Sequence, residues 1–351
     1  MKKIISLCLC LLVLAGCAPV APSPSVDTDP IVLTDPGTVD LHTPEQQTYL
    51  DDNYLFPRGR GVEELSRPQG VTLYWVSRIS TPEYTVRISE NADMSEAAVY
   101  GTPRNSLDLN NLKAATTYYW TVSADDHTSA VGSFSTADCL PRNISCDGIT
   151  NMRDLGGWKT ADGGRVRQGL IYRSGQWAKP NAITPMITEQ GIAVMQELGI
   201  VTELDLRNEA SGTDPCPVEG VKVIHIPMVA SNNFYGTNRE QIPKIFEVLA
   251  DEANYPLVFH CAIGTDRTGY IAFLINTLLG VEEESLYRDY LFSNYGNIGS
   301  SRAIGRVKLD YMTRILEYGD GTPSENCEKF LLDIGVQQAH IDAVRAILLE
   351  K

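Results

Sequence analysis

The sequence predicts an α/β domain, with a central, mostly parallel sheet flanked by helices, preceded by an all-β sandwich. Three observations carry this prediction. Over residues 46–136, apolar residues alternate with period two in short runs separated by Pro, Asn, Asp and Gly. From about residue 137, short apolar strand-like runs alternate with segments whose apolar residues recur at helical spacing. A chain of 351 residues, 43% of them hydrophobic, has room for two ordinary domains and a tail.

The first element in chain order reads as a targeting segment. Lys2 and Lys3 precede an apolar run over residues 4–14, too short to span a bilayer as a mature helix. The run ends in Leu14-Ala15-Gly16-Cys17, which resembles a bacterial lipobox. The resemblance implies a lipoprotein signal peptide over residues 1–16 and lipid on Cys17. It also implies a lipoprotein of the cell envelope that meets the membrane through that lipid, in the outer membrane or facing the periplasm or cell surface. Ala18, with no early acid, favours outer-membrane sorting. An ordinary secretory signal with a chance Cys is the alternative. Residues 17–45, rich in Pro, Ser, Thr and Asp, read as a flexible tether.

The sandwich is expected over residues 46–136. Val71, Leu73 and Trp75 alternate, as do Tyr84, Val86 and Ile88, then Tyr118, Trp120, Val122 and Ala124; Gly132, Ser133 and Phe134 close the set. The stretch from Leu112 through Thr116 and Tyr118 to Ala124 resembles the fibronectin type III pattern. That resemblance implies a tyrosine corner at Tyr118 and a core Trp at Trp75. Such a module serves as a spacer or recruits a substrate or glycan.

The α/β domain is expected over residues 137–351. Residues 188–198 carry Ile192, Met195 and Leu198 on one helical face. Gly199 then stops the helix ahead of a strand through Leu204 and Leu206, followed by strands around Val223 and Val258. Helices follow over residues 268–279 and 283–292, and a last one carries Ile341, Val344, Ile347 and Leu348.

Charge and cysteines narrow the function. The formal net charge is −15 and no Lys/Arg-rich run occurs, which argues against a nucleic-acid partner. Cys8 and Cys10 would leave with the signal. No Cys or His cluster shows zinc-ligand spacing, so neither metal nor cofactor is expected. Cys139 and Cys146 would either pair in an oxidising compartment or remain two free thiols.

The chemistry is concentrated in one loop. Val258-Phe259-His260-Cys261-Ala262-Ile263-Gly264-Thr265-Asp266-Arg267-Thr268 runs from a buried strand through a tight turn into a helix. That local structure gathers backbone N–H groups and the positive end of a helix around one point, an anion site. Ala262, Ile263, Gly264 and Thr265 would form the cradle. The same field favours thiolate, so Cys261 is the candidate nucleophile. Arg267 offers a planar fork for two phosphate oxygens. Thr268 would donate to the sulfur and His260 would orient the loop. Gly264 permits a turn that a Cβ would obstruct.

These residues match HCxxGxxR followed by Thr, the protein tyrosine phosphatase signature. The surroundings resemble the atypical bacterial tyrosine/phosphoinositide phosphatases, over roughly residue 148 to the C-terminus. The matching residues are Asn151-Met-Arg153-Asp154 with Gly156 and Gly157, Tyr172-Arg173-Ser174-Gly175, Asp205 with Arg207, Asp289, and Ser293-Asn294. The resemblance implies the cysteine-phosphatase fold and metal-free hydrolysis through a phosphocysteine. Its substrates would be a phosphorylated protein or a small phosphomonoester, with protein tyrosine or dual-specificity phosphatase activity. The alternatives are a phosphoinositide or inositol polyphosphate phosphatase, or a tethered protein that only binds phosphorylated ligands. A rhodanese-like sulfurtransferase fits less well, given the Arg267-Thr268 pair. Arg153, Asp154, Arg173 and Arg207 would serve either as buried ion pairs or as substrate contacts.

Two positions depart from the family pattern. The loop Lys is Thr265 here, which weakens the expectation of lipid substrates. Residues 226–232, where the family's general-acid Asp is sought, hold no carboxylate. Asp266 becomes the candidate acid, with Asp205 second and more structural in character. Cys216 and Cys327 are conceivable oxidation partners of Cys261.

Overall fold

A computed structural model describes residues 29–51, 60–178, 186–208, 215–231 and 233–350, with side chains from residue 48 to 51 left aside. The expected signal peptide, Cys17 and the first part of the tether lie outside the described residues.

Two sheets face each other in the N-terminal unit. One has the order β1 (Ile31–Leu33), β3 (Val71–Ser77), β6 (Ser106–Leu109), all antiparallel. The other runs β2 (Thr38–Val39), β9 (Gly132–Thr136), β7 (Thr117–Ala124), β4 (Tyr84–Ser89), β5 (Ala98–Thr102), with β8 (His127–Thr128) also on β7. The alternating residues named above point inward: Leu73, Trp75, Val86, Trp120, Val122 and Phe134 are all buried. Tyr84 meets the Trp75 ring edge-on at 5.4 Å. Tyr118 stacks on Phe134, and its hydroxyl oxygen accepts the Lys113 N–H at 2.8 Å.

Part of the expected tether is structured. Ile31–Leu33 pairs with Trp75–Ser77, and Thr38–Val39 pairs with Ser135–Thr136. Residues 29–45 therefore belong to the folded unit, and α1 (Pro44–Asp51) replaces the expected start of the sandwich. A three-residue strand is too short to show a period, and its partner lies about forty residues away. Ile31 is nonetheless fully covered.

The second unit is built on five strands in the order β10 (Arg153–Asp154), β11 (Ile171–Ser174), β14 (Leu257–His260), β12 (Thr202–Asp205), β13 (Lys222–His225). Only β10 is antiparallel to its neighbour; the other pairs are parallel. β14 lies at the centre and is buried along its whole length. Leu257 and Phe259 enter the larger core, while Val258 enters a second core with Met195 and Trp177. Both faces are thus covered. The second core is roofed by α2 (Glu189–Glu197), whose N-cap Thr188 accepts the Gly191 N–H. The larger core takes α3 (Phe234–Thr237), α4 (Gln241–Leu249), α5 (Arg267–Leu278), α6 (Glu283–Phe292), α7 (Thr313–Leu316), α8 (Pro323–Asp333) and α9 (Gln338–Leu348). Between α6 and α8 lies a π-helical turn, Arg306–Met312.

The two units are bonded to each other. The Gln168 amide exchanges two 2.9 Å hydrogen bonds with the Ala114 backbone. Buried Arg142 donates to the carbonyls of Asn111 and Leu112 and pairs with Asp154 at 2.7 Å. Cys139 and Cys146 are free thiols with separate partners, Asp40 and the Gly191 carbonyl. Cys327 is fully buried against the Leu274 carbonyl, and Cys216 lies beside the Val218 N–H. Among the described residues no helix is long and apolar enough to cross a membrane.

Candidate active site

The central strand β14 ends at His260, and Cys261 follows immediately, 2% exposed. Six residues after Cys261, α5 begins at Arg267, so the loop closes between a strand end and a helix N-terminus. Gly264 turns it with φ +70°, and an added Cβ would lie 2.5 Å from the Ser174 carbonyl.

The loop is held from behind by its carbonyls. The Gln176 N–H donates to the Ala262 carbonyl at 3.3 Å. The Asn151 amide donates to the carbonyls of Ile263 and Gly264, and Arg173 donates to Gly264 at 2.8 Å. A planar trans peptide points its N–H opposite to its carbonyl. Carbonyls drawn backward therefore turn the N–H groups of Ile263, Gly264 and Thr265 toward the cradle. The Ile263 N–H indeed meets the Cys261 sulfur.

Burial alone would raise the Cys261 pKa. Arg267, the Thr268 hydroxyl and the N–H groups of Thr268 and Ile263 outweigh it, and the thiol sits below its ordinary value. The Thr268 side chain is fully buried beside that sulfur. Arg267 is 5% exposed and is steadied by Asn208 Oδ1 at 2.9 Å and the Met228 carbonyl at 3.4 Å.

His260 is fully buried and stacks on Trp177. Its Nε2 lies 2.8 Å from Glu203 Oε1 and its Nδ1 3.2 Å from the Cys261 carbonyl. Burial pushes its pKa down, but Glu203, with help from Asp205, more than reverses this and raises it. His260 therefore carries a charge-assisted bond to Glu203 on β12 and anchors the loop's first turn to the neighbouring strand.

Behind the loop, Arg153 and Arg173 share Asp289, with Arg153 Nε at 2.8 Å from Oδ1 and Arg173 Nη1 at 2.5 Å from Oδ2. Asp154 pairs with Arg142, and Asp205 with Arg207 at 2.7 Å. All four family-motif positions, Arg153, Asp154, Arg173 and Arg207, are buried in ion pairs.

The carboxylates weighed as the proton donor are engaged elsewhere. Asp266 accepts from Arg302 through both oxygens, at 3.1 and 2.9 Å, so both of them are turned to that guanidinium. Both oxygens of Asp205 face the Arg207 guanidinium. Thr265 is fully buried; its hydroxyl accepts from Asn151 at 3.2 Å and donates to the Ile263 carbonyl. Ala262 and Ile263 are half-buried at the mouth.

The sequence reading gave no role to Asn151, Glu203, Asn208 or Arg302. Asn151 stood inside a quoted motif, and its left-handed φ of +57° is typical of an Asn with a local task. The other three reach the loop across many intervening residues and carry no local signal.

A buried Cys261 with a lowered thiol pKa, backbone N–H groups turned toward it and Arg267 beside it form a candidate anion site. The chain belongs to the tyrosine phosphatase family, whose pattern matches residues 144–350. A candidate tyrosine-protein phosphatase of Cupriavidus necator is 29% identical over 185 residues, 44% of this chain and 64% of that one. One of Meyerozyma guilliermondii is 26% identical over 130 residues, 34% and 65% of the two chains. The chain thus spans slightly under two thirds of these relatives. Among solved structures, P. aeruginosa TpbA is similar at 17% identity and a TM-score of 0.33, covering 50% of this chain and 96% of that one. The catalytic core of the S. cerevisiae PP-IP phosphatase SIW14 is similar at 19% and 0.31, covering 42% and 83%.

Proposed function

We propose that the protein hydrolyses phosphomonoesters through a phosphocysteine on Cys261, with aryl phosphates of the phosphotyrosine kind as preferred substrates. The observation that carries this reading is the Cys261 sulfur, lowered in pKa while buried, beneath donors aimed at one point. In the first step the thiolate attacks phosphorus and the ester P–O bond breaks. In the second, water attacks phosphorus, the S–P bond breaks, and phosphate leaves with the thiolate restored. Arg267 and the loop N–H groups hold the equatorial oxygens in both steps, and Thr268 donates to the sulfur as it departs. With Asp266 held by Arg302, a leaving group that needs no proton is favoured, which means a phenolate over an alkoxide. Phosphoinositides are disfavoured, because position 265 turns a buried hydroxyl backward instead of offering a cation to the substrate.

The lipobox supports a second part of the proposal. Residues 1–16 are removed, Cys17 carries lipid, and the protein works in the cell envelope on a short tether. The fibronectin type III-like unit then acts as a rigid spacer, a reading supported by the Lys113–Tyr118 hydrogen bond and by the direct bonds to the catalytic unit.

The test is p-nitrophenyl phosphate hydrolysis by the chain from Ala18 onward, with EDTA and reductant, beside Cys261→Ser. Turnover that resists EDTA and vanishes in the variant supports the proposal. Absent turnover with retained vanadate binding would instead favour a protein that only captures phosphorylated ligands.

A further inference from the structure

Away from the phosphate loop, the fold gathers three residues whose side chains suit a borderline-soft metal. Asp40 and His42 follow β2, and Cys139 follows β9. One ligand atom from each lies within 4.8 Å of the other two. The Cys139 sulfur is 3.0 Å from Asp40 Oδ1, and His42 Nδ1 is 3.9 Å from the same oxygen. A tetrahedral Zn²⁺ with thiolate, imidazole and carboxylate ligands sets their donor atoms about 3–4 Å apart, so the present spacing needs little adjustment.

The state of His42 points to a ligand. The residue is 1% exposed. Its Nε2 lies 2.9 Å from the Pro141 carbonyl and donates to it, which fixes the tautomer and leaves the lone pair on Nδ1. That Nδ1 is buried with no hydrogen-bond partner and faces Asp40 and Cys139. An orphaned imidazole nitrogen in a dry site costs stability unless something accepts its lone pair. A carbonyl bond on the far ring nitrogen is also the outer support that metal-bound histidines use. Asp40 Oδ1 further accepts the His42 N–H at 2.8 Å, which orients the carboxylate. Burial and the Asp40 carboxylate push the Cys139 thiol up to about 12 despite the Leu41 and His42 N–H groups that face its sulfur, so the thiolate forms only as the metal binds.

We propose that Asp40, His42 and Cys139 bind one Zn²⁺, which clasps the start of the sandwich to the segment leaving it for the catalytic unit. On binding, the Cys139 S–H proton that now bridges to Asp40 is released to solvent, and S–Zn, N–Zn and O–Zn bonds form with no change of oxidation state. The fourth position opens to a cleft of about 530 Å³ lined by Gln47, Lys159 and Glu284 among others, which gives the ion an entry path. No residue of the phosphate loop lines this cleft, so the site is independent of the phosphatase chemistry. The sequence concealed it because Cys139 lies almost one hundred residues from its partners.

The test titrates Co²⁺, then Zn²⁺, into the full chain carrying Cys261→Ser, so that the reactive thiolate does not compete. The expected result is about one equivalent of Co²⁺ with a thiolate-to-cobalt absorption band that Zn²⁺ abolishes. Cys139→Ser should remove the band. His42→Gln should weaken binding by more than about 100-fold, beyond the loss of an outer-shell partner. Should either variant fold poorly, Asp40→Asn, at a half-exposed position, serves as the third probe and should weaken Co²⁺ binding by at least about 10-fold. The absence of a thiolate band in the parent overturns the proposal. A band that survives Cys139→Ser overturns it too, by placing the metal on another cysteine.

Discussion

Asn151 Nδ2 stands 3.2 Å from the Gly264 carbonyl and 3.2 Å from Thr265 Oγ1, so one side-chain amide holds the outer half of the phosphate loop. The same amide reaches Ser293 Oγ, and its own carbonyl oxygen accepts from Arg153 Nη1 at 2.5 Å. Glu64, from the segment ahead of β3, receives the Asn151 N–H at 3.2 Å. The loop is therefore supported by a chain of contacts that starts outside the catalytic unit.

This support predicts a catalytic cost without contact to substrate. Asn151→Ala should lower kcat/KM on an aryl phosphate by about 100-fold, the scale of a displacement near 1 Å at the reacting atoms. Vanadate affinity should fall with it, while circular dichroism stays unchanged. Wild-type kinetics in the folded variant would show that the loop holds its shape alone.

The lowered pKa of Cys261 predicts a pH profile. Inactivation by iodoacetamide should rise with pH through a midpoint below that of an ordinary thiol, because only the thiolate reacts. Arg267→Ala should move the midpoint upward, since it removes the leading favourable charge. Arg267→Lys should keep much of the depressed midpoint yet lose about 100-fold or more in kcat, because a point charge replaces the fork. Equal midpoints in all three proteins would show that Arg267 does not set the thiolate.

His260 and Glu203 predict a pH dependence of stability. The folded His260 pKa is raised above the ordinary 6.5, so the protonated form is the stabilised one. Its contribution is complete below 6.5 and disappears as pH rises through the higher folded value. Glu203→Gln should cost about 1.5–3 kcal/mol in urea unfolding at pH 6, the range for a charge-assisted hydrogen bond, and much less at pH 9. An equal loss at both pH values would mean that His260 is neutral in the native state.

The Asp266–Arg302 pair predicts how little a proton donor contributes at this site. Asp266→Asn should change turnover of an alkyl phosphate by less than about 10-fold, whereas removing a general acid costs about 10²–10⁴. A larger loss on alkyl than on aryl substrates would restore Asp266 as the acid.

Ile31 tests the redrawn boundary of the folded unit. Ile31→Ala should destabilise the protein by about 2–5 kcal/mol in urea unfolding, as expected for a fully buried aliphatic side chain. A neutral effect would return residues 29–39 to the tether.

What the sequence determined by itself is local. The alternation of Val71, Leu73 and Trp75 is a property of one strand facing one core, and the structure keeps it. His260 through Thr268 are contiguous, so a strand, a turn at Gly264 and a helix start already place Cys261 and Arg267 on one loop. What the tertiary structure decided is whatever crosses the chain. Ile31 is buried only because β1 pairs with β3, and a three-residue strand has no period of its own. Asp266 is held by Arg302, thirty-six residues on, and His260 by Glu203, fifty-seven residues back. Cys139 meets Asp40 and His42 only after the sandwich has closed between them. Side-chain charge and hydrogen-bonding capacity are written in each residue, but their partners depend on strand order and packing, which no single segment encodes.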